Sequence, residues 1–283
     1  MLSVGAGRHG SRRPARVSSR GRLVATSRAL ADVVGSAPRG TNRVLLHDAG
    51  MRGLRYTLEC IETAQAWPPE GKPRSDQARA IGTSMRVFAS PWVDGVLGRA
   101  HPMTPIVWFG PFIGWAVYRA NEKHGSKLSA LVLFALGWLA WSLMEYLLHR
   151  FVFHMPAHTP RQKFRAFLLH GYHHEFPDDP MRLVAPPLMS WPIAVVVGLA
   201  YYWLLGASSW IFLFAGTATG YIAYDWIHFY THHFRPRHGI GRWLRSYHML
   251  HHFDEQGSRF GVSSPLWDIV FGTYQPVPRR ARH

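Results

Sequence analysis

Four apolar stretches punctuate the polar background of the chain: Pro105 to Tyr118, Leu128 to Leu148, Trp191 to Leu205, and Trp210 to Trp226. The second is 21 residues long with Glu145 its only charge, close to the roughly 20 residues a helix needs to cross a bilayer. Only Gly206, Ala207, Ser208 and Ser209 separate the third from the fourth, a tight helical hairpin. The first is short and interrupted by Pro111, so it tilts, thins the bilayer or enters it only in part. The pattern predicts an all-α integral membrane protein with about four transmembrane helices in two hairpins. A soluble bundle of four such helices is the competing reading. Trp and Tyr gather at the ends of the stretches, where membrane interfaces hold such rings.

Between and after these stretches the polar positions are dominated by one residue type. Eleven of the 18 histidines fall in four clusters: His149/His154, His170/His173/His174, His228/His232/His233 and His248/His251/His252. Residues three and four apart share a helical face, so each HxxHH or HxxxH run aims a stripe of imidazoles one way. His149 and His154 are five apart, about 140° around an α-helix. Pro156 disfavours helix at Met155, so His154 is expected where the helix ends and the chain turns. His9, His47, His101, His124, His158, His238 and His283 stand alone and read as structural or solvated.

The two hairpins return the chain twice to its starting side, so all four clusters can meet on one membrane face, in a cytosolic helical cap holding a histidine-rich dimetal site. Arg150, Arg161, Lys163, Arg165, Arg182, Arg235, Arg237 and Arg242 lie in the loops of that face, and the turn near Ser208 is uncharged. Positive charge therefore puts the metal side in the cytoplasm, with Lys123 and Lys127 the exceptions. More than six imidazoles exceed what one ion takes, so two metals are the economical assignment. Imidazole suits iron, zinc, copper and nickel alike, and the ligands by themselves do not name the metal. A neutral nitrogen cage beside a bilayer suits O2 activation on lipid chains better than zinc hydrolysis, which uses fewer ligands and a carboxylate base. Nearby polar groups are expected as an outer layer: Glu145 one turn before His149 and Asp225 three residues before His228, each able to accept an imidazole N–H. Asp179 and Arg182 are expected to pair and brace the loop after the second cluster, and Tyr230 joins them from the third.

Charge changes the picture at the N-terminus. The chain of 283 residues carries a formal charge of +16, and from Arg8 to Arg43 nine arginines face only Asp32. With no apolar periodicity, residues 1–84 read as a basic, disordered leader, an organellar transit peptide, or an over-extended start ahead of Met51 or Met85. Residues 85–283 are the membrane-embedded catalytic domain, and removing everything before Met85 is expected to leave it working. The basic stretch lacks interleaved aromatics and any nucleic-acid-binding module, so no nucleic-acid partner is expected. The single Cys60 excludes an internal disulfide and a thiolate-rich metal site.

The runs Glu145-Tyr-Leu-Leu-His-Arg-Phe-Val-Phe-His154, His170-Gly-Tyr-His-His174 with Arg182-Leu-Val-Ala-Pro-Pro187, Tyr224-Asp-Trp-Ile-His-Phe-Tyr-Thr-His232 and His248-Met-Leu-His-His252 together resemble the fatty acid hydroxylase superfamily, the sterol desaturase-like membrane di-iron proteins. The resemblance covers Trp92 to Tyr274, including Gly261-Val-Ser-Ser-Pro-Leu-Trp-Asp268. It implies a monooxygenase that uses two iron ions and O2 to hydroxylate a fatty acyl chain at C2, in a free acid, an acyl-CoA or a sphingolipid. Zinc can substitute in purified protein. The ligands it implies are His149, His154, His170, His173, His174, His228, His232, His248, His251 and His252. His233 lies outside that set, and on a helix it points 100° from His232. No haem-binding pattern of a fused b-type cytochrome stands in the first hundred residues, so the resemblance implies a separate electron donor, a ferredoxin or a b-type cytochrome with its reductase. Ala185 and Phe229 depart from the family's usual bulkier apolar residue and tyrosine. Desaturases, sterol methyl oxidases and carotenoid hydroxylases share such histidine boxes and are the alternative activities. A non-enzymatic metal store or transporter fits less well, because the clusters sit at span ends rather than at the midplane.

Overall fold

In a computed structural model of the chain, residues 56–67, 85–122, 127–253 and 257–278 are described, and all belong to a compact unit that begins at Leu45. The described residues are mostly helical and contain no strand beyond one bridge between Tyr56 and Phe88. In chain order they form α1 (Leu58–Ala66), α2 (Pro91–Leu97), α3 (Thr104–Glu122) and α4 (Lys127–Leu147), which continues as a π-helix over Leu148–Phe153. Next come α5 (Pro160–Ala166), continuing as a second π-helix over Phe167–Gly171, and α6 (Tyr172–Glu175). The rest are α7 (Pro187–Leu205), α8 (Trp210–His233), α9 (Gly239–Phe253) and α10 (Leu266–Val270).

Local chemistry sets several boundaries. Ser90 caps α2 and Pro91 opens it. Thr159 and Gln162 form a reciprocal capping box at α5, with Pro160 in the first turn, where its missing N–H costs nothing. Gly206, at φ 72°, ends α7 and donates its N–H to Tyr202, a left-handed stop that glycine adopts without a side-chain penalty. The hairpin predicted at Gly206 to Ser209 is thereby present.

The long helix α8 is the centre of the bundle and packs against α4, α3, α7 and α9. It crosses α4 at backbone distance. A Cβ on Gly137 would run into the Leu213 carbonyl, and one on Gly216 into the Phe134 carbonyl. Gly216 and Gly220 form a GxxxG step, the pattern that lets apolar helices approach closely. Across the same contact Thr217 Oγ1 donates to Gly137 O at 3.1 Å.

Two helices are long and apolar enough to cross a membrane, Lys127–Phe153 and Pro187–Leu205. Their outward faces are bare hydrocarbon: Leu131 is 63% exposed, Trp203 83% and Leu204 73%. Such a continuous apolar surface is unfavourable in water and stable against lipid. Of the two other expected spans, α3 is a helix that carries Pro111 inside it. In α8 residues such as Ile211, Phe214 and Ala215 are buried, so it is a core helix first.

Most of the expected leader lies outside the described residues, but Tyr56–Trp67 departs from that expectation. Helix α1 is capped by Thr57, and Cys60, Ala64 and Trp67 pack with Phe164, Ala166, Phe167 and Tyr172 in one buried cluster. Burial pushes the Cys60 thiol up to about 12, so it packs as a small apolar group. Low apolar content upstream obscured a nine-residue helix of which Cys60, Ile61 and Ala64 face this cluster. The folded unit therefore starts well before Met85.

Candidate metal centre

The spacing of His149 and His154 is resolved by the π-helix that ends α4. There the backbone N–H of His154 bonds to the carbonyl of His149 at 3.1 Å, an i→i+5 bond that stacks residues five apart. The two rings lie 5.0 Å apart. The helix ends at Phe153 with His154 as its C-cap, where Pro156 led one to expect the stop, and it widens into π-geometry before it does so. A second π-helix carries His170.

Ten histidines converge in two sets of five, His149, His154, His170, His174 and His251 in the first, and His173, His228, His232, His248 and His252 in the second. Within each set one nitrogen per residue lies within 4.8 Å of all the others. The expectation that each cluster aims one way holds for His228 and His232, whereas the second and fourth clusters are divided between the sets. Helical geometry accounts for this. His170 and His174, or His248 and His252, are four apart and share a face, while His173 and His251 are each one residue off and point about 100° away.

The nitrogen geometry fits ions better than hydrogen bonds. In the second set, Nε2 atoms form a chain from His228 to His173 at 2.9 Å, on to His252 at 3.0 Å, to His248 at 3.1 Å, and to His232 at 2.8 Å. A neutral imidazole nitrogen carries either one hydrogen or one lone pair, so at most half of these contacts can be hydrogen bonds together. Nitrogens bound to one ion at about 2.0–2.1 Å and at right angles sit roughly 2.9 Å apart. His174 is buried with no hydrogen-bond partner on either ring nitrogen. Burial first, and neighbouring histidines second, hold His170, His173, His174, His248 and His252 well below the ordinary imidazole value. They are neutral at physiological pH, with lone pairs free for a metal.

A stability prediction follows from those directions. A histidine whose folded value is depressed contributes stability above its unfolded value of about 6.5, and that stability is lost as pH falls. Metal-free protein in detergent should therefore show a falling thermal midpoint as pH drops from 7 to 5. A flat profile would mean that these rings are not buried in the folded state.

The outer residues are arranged differently from expectation. Glu145 does not reach His149: its oxygens accept from Val262 N at 2.7 Å, Ser263 N at 2.8 Å and Ser263 Oγ, because four residues along a helix that widens into π-geometry leave it facing the loop after α9. His149 Nδ1 meets Phe260 O at 2.5 Å instead. Asp225 Oδ2 and His228 Nδ1 are both buried without a partner, so this pair is not joined. Arg182 approaches Asp179 at 3.7 Å, but its short contacts go to Asp94, at 2.7 and 2.6 Å, and to Gly98 O at 2.7 Å. Asp179 accepts from Tyr172 OH at 2.9 Å. Tyr230 stacks on Phe234 and lies against Gly241, turned to the start of α9. His233 belongs to neither set, and its ring lies 4.4 Å from that of Phe229.

Sequence reasoning passed over two features. Asp268 is fully buried and accepts from Phe260 N and Gly261 N, both at 2.8 Å. Its only signal was a lone acid in the apolar run Leu266 to Val270. Trp67 covers Gly171 of the second π-helix, where a Cβ would meet the indole at 2.8 Å. Beside the histidines lies a cavity of about 710 Å³, whose lining joins His170, His173 and His228 to apolar groups such as Met144, Leu148, Ile193 and Val197. Ala185 is also in the lining.

A fatty acid hydroxylase family profile matches residues 134–273. Fatty acid 2-hydroxylase of Rattus norvegicus is 34% identical over 219 residues, which are 69% of this chain and 58% of that protein. Dihydroceramide fatty acyl 2-hydroxylase FAH1 of Arabidopsis thaliana is 36% identical over 176 residues, 60% of this chain and 71% of that one. The chain thus spans less than two thirds of the rat protein's length. A solved structure of full-length scs7p, in which only the hydroxylase domain is visible, superposes with a TM-score of 0.60 at 32% identity, covering 65% of this chain and 70% of that one. With the histidine runs, the helical frame and these similarities in agreement, the chain belongs to the fatty acid hydroxylase family.

Proposed function

We propose that this protein is a membrane-embedded oxidoreductase that hydroxylates a fatty acyl chain at C2, using two iron ions and O2. The observation that carries the reading is the cavity, because its lining brings an apolar volume of about 710 Å³ up to His170, His173 and His228. An acyl chain is a substrate such a volume accepts, and the names of the rat and Arabidopsis relatives point to the same chemistry. Bound iron supplies the redox chemistry for O2, and zinc can fill the ligands without turnover because it has no redox chemistry.

The chain's own residues have separate tasks. His149, His154, His170, His174 and His251 hold one ion, and His173, His228, His232, His248 and His252 hold the other. The cavity wall excludes water and fixes the chain so that one carbon lies at the centre, since a misplacement of about an ångström changes the outcome. Helices α3, α4, α7 and α8 serve as four spans in two hairpins. The basic loop residues set the histidine side in the cytoplasm, where a separate ferredoxin or b-type cytochrome delivers electrons. The hydroxylase domain begins at α1.

Lipid mass spectrometry of cells that lack 2-hydroxy lipids and express the chain should reveal 2-hydroxy acyl products. Hydroxylation at another carbon, or a new double bond, would replace this reading with a different oxidative activity. Identification of the hydroxylated species also reports whether the acyl chain was free or amide-linked.

A further inference from the structure

We infer that the two histidine sets are inequivalent metal sites, and that Asp268 and Glu145 act through the backbone of residues 258–263 to make the first set the tighter one. The inference rests on the proposed reading that the ten histidines hold two ions.

The loop after α9 touches the first set twice. Phe260 O meets His149 Nδ1 at 2.5 Å, and Ser258 O meets His251 Nδ1 at 2.7 Å. A carbonyl only accepts, so Nδ1 carries the hydrogen in both rings and the lone pair is on Nε2. Those Nε2 atoms are the ones turned toward His170 and His154, each at 3.0 Å. Both imidazoles are therefore held, before any ion arrives, in the tautomer and orientation that ligation needs. Among the described residues no carbonyl is seen against a ring of the second set, where Nδ1 of His228, His248 and His252 is buried without a partner. In the first set, among the described residues, only His174 has a buried ring nitrogen without a partner.

The carbonyls are themselves anchored to buried acid. Asp268 Oδ2 accepts from Gly261 N at 2.8 Å, and that N–H shares a peptide unit with the Phe260 carbonyl. Charge on Asp268 polarises the peptide, which makes Phe260 O a better acceptor for His149. The arrangement is a carboxylate–histidine pair with one peptide group inserted. The carbonyl that holds His251 belongs to the peptide of Arg259 N, which donates to Thr273 O at 3.1 Å, while Thr273 Oγ1 donates to Asp268 Oδ1 at 2.7 Å. Asp268 is thus the hub of both supports. Glu145 fixes the far side of the loop through Val262 N and Ser263.

The backbone pays a conformational cost for this path. Arg259 has φ 60°, a left-handed conformation that residues other than glycine rarely adopt. Its side chain is tied to the carbonyls of Gln275 and Pro276. Strain retained in a buried loop that aims two carbonyls at two histidines points to a positioning task.

The test uses the full chain purified in detergent and loaded with zinc. Binding of fewer than two ions per chain would overturn the underlying dimetal reading itself. With two bound, transfer into excess chelator should release them in two phases, one ion each. His248→Ala should leave one slowly released ion, and His154→Ala one quickly released ion. Asp268→Asn should accelerate the slow phase about 10–100-fold, the usual weight of a residue behind a ligand, and leave the fast phase unchanged. If that variant does not accumulate, Ser263→Ala should accelerate the same phase by less. Release of both ions in a single phase, loss of the slow phase in His248→Ala, or equal acceleration of both phases by Asp268→Asn or Ser263→Ala would each overturn the inference.

Discussion

Replacing His232 with alanine should abolish 2-hydroxy product, while replacing His233 should leave most of it. The two neighbours differ only in direction. His232 is 6% exposed, belongs to the second histidine set and has its Nε2 2.8 Å from that of His248. His233, about 100° further round the helix, lies tilted against Phe229 outside both sets. Its loss removes one partly buried ring contact, a change of about 1 kcal/mol. Product yield and bound metal, compared at matched membrane expression, decide the matter. An inactive His233→Ala beside an active His232→Ala would place the ligand stripe on the other face of α8. Similar graded losses in both would make these histidines packing residues.

Removing residues 1–84 should prevent the accumulation of active, metal-loaded protein, although composition alone expects that deletion to be silent. The deletion takes away α1 and with it Cys60, Ala64 and Trp67, leaving Phe164, Ala166 and Phe167 uncovered. It also removes the Thr57 N–H that bonds to Val87 O at 2.9 Å. Trp67→Ala by itself should cost about 3–5 kcal/mol, a large share of a typical domain's stability. The wall it would loosen is the π-helix that carries His170. A deletion ending at Val44, just ahead of the compact unit, is the control and should retain metal and activity. Full activity without residues 1–84 would show that α1 merely rests on the cap.

The histidine runs were legible because coordination needs a rare residue in fixed steps, and those steps survive in the letters of the sequence. The helices were legible because length and hydropathy determine them. The division of the second and fourth runs between two sets followed from the same 100° step, but only after the relative placement of α6 and α9 was known. The π-helices were hidden, since one extra residue per turn alters no composition. The roles of Glu145 and Asp268 were hidden for another reason: each acts on backbone N–H groups, which every residue has and no sequence pattern displays. Helix α1 went unseen because its small apolar face lay downstream of an arginine-rich stretch that dominated the local average.

The glycine contact between α4 and α8 has a bearing on how a long chain can exchange with the bilayer. Parting these helices would break backbone-level packing and the bond from Thr217 to Gly137 O. Helix α7, which contributes Ile193 and Val197 to the cavity lining, buries only Gly198 in its own length. Its ties to the bundle are the Tyr201 hydroxyl against Thr217 Oγ1 at 3.2 Å and Trp191 against Phe109 and Phe112, while its outward face would exchange one hydrocarbon neighbour for another at little cost. The cavity thus has one side held at backbone distance, by α4 and α8, and one side at α7 with fewer ties, and on the proposed reading an acyl substrate is expected to enter and its product to leave past α7.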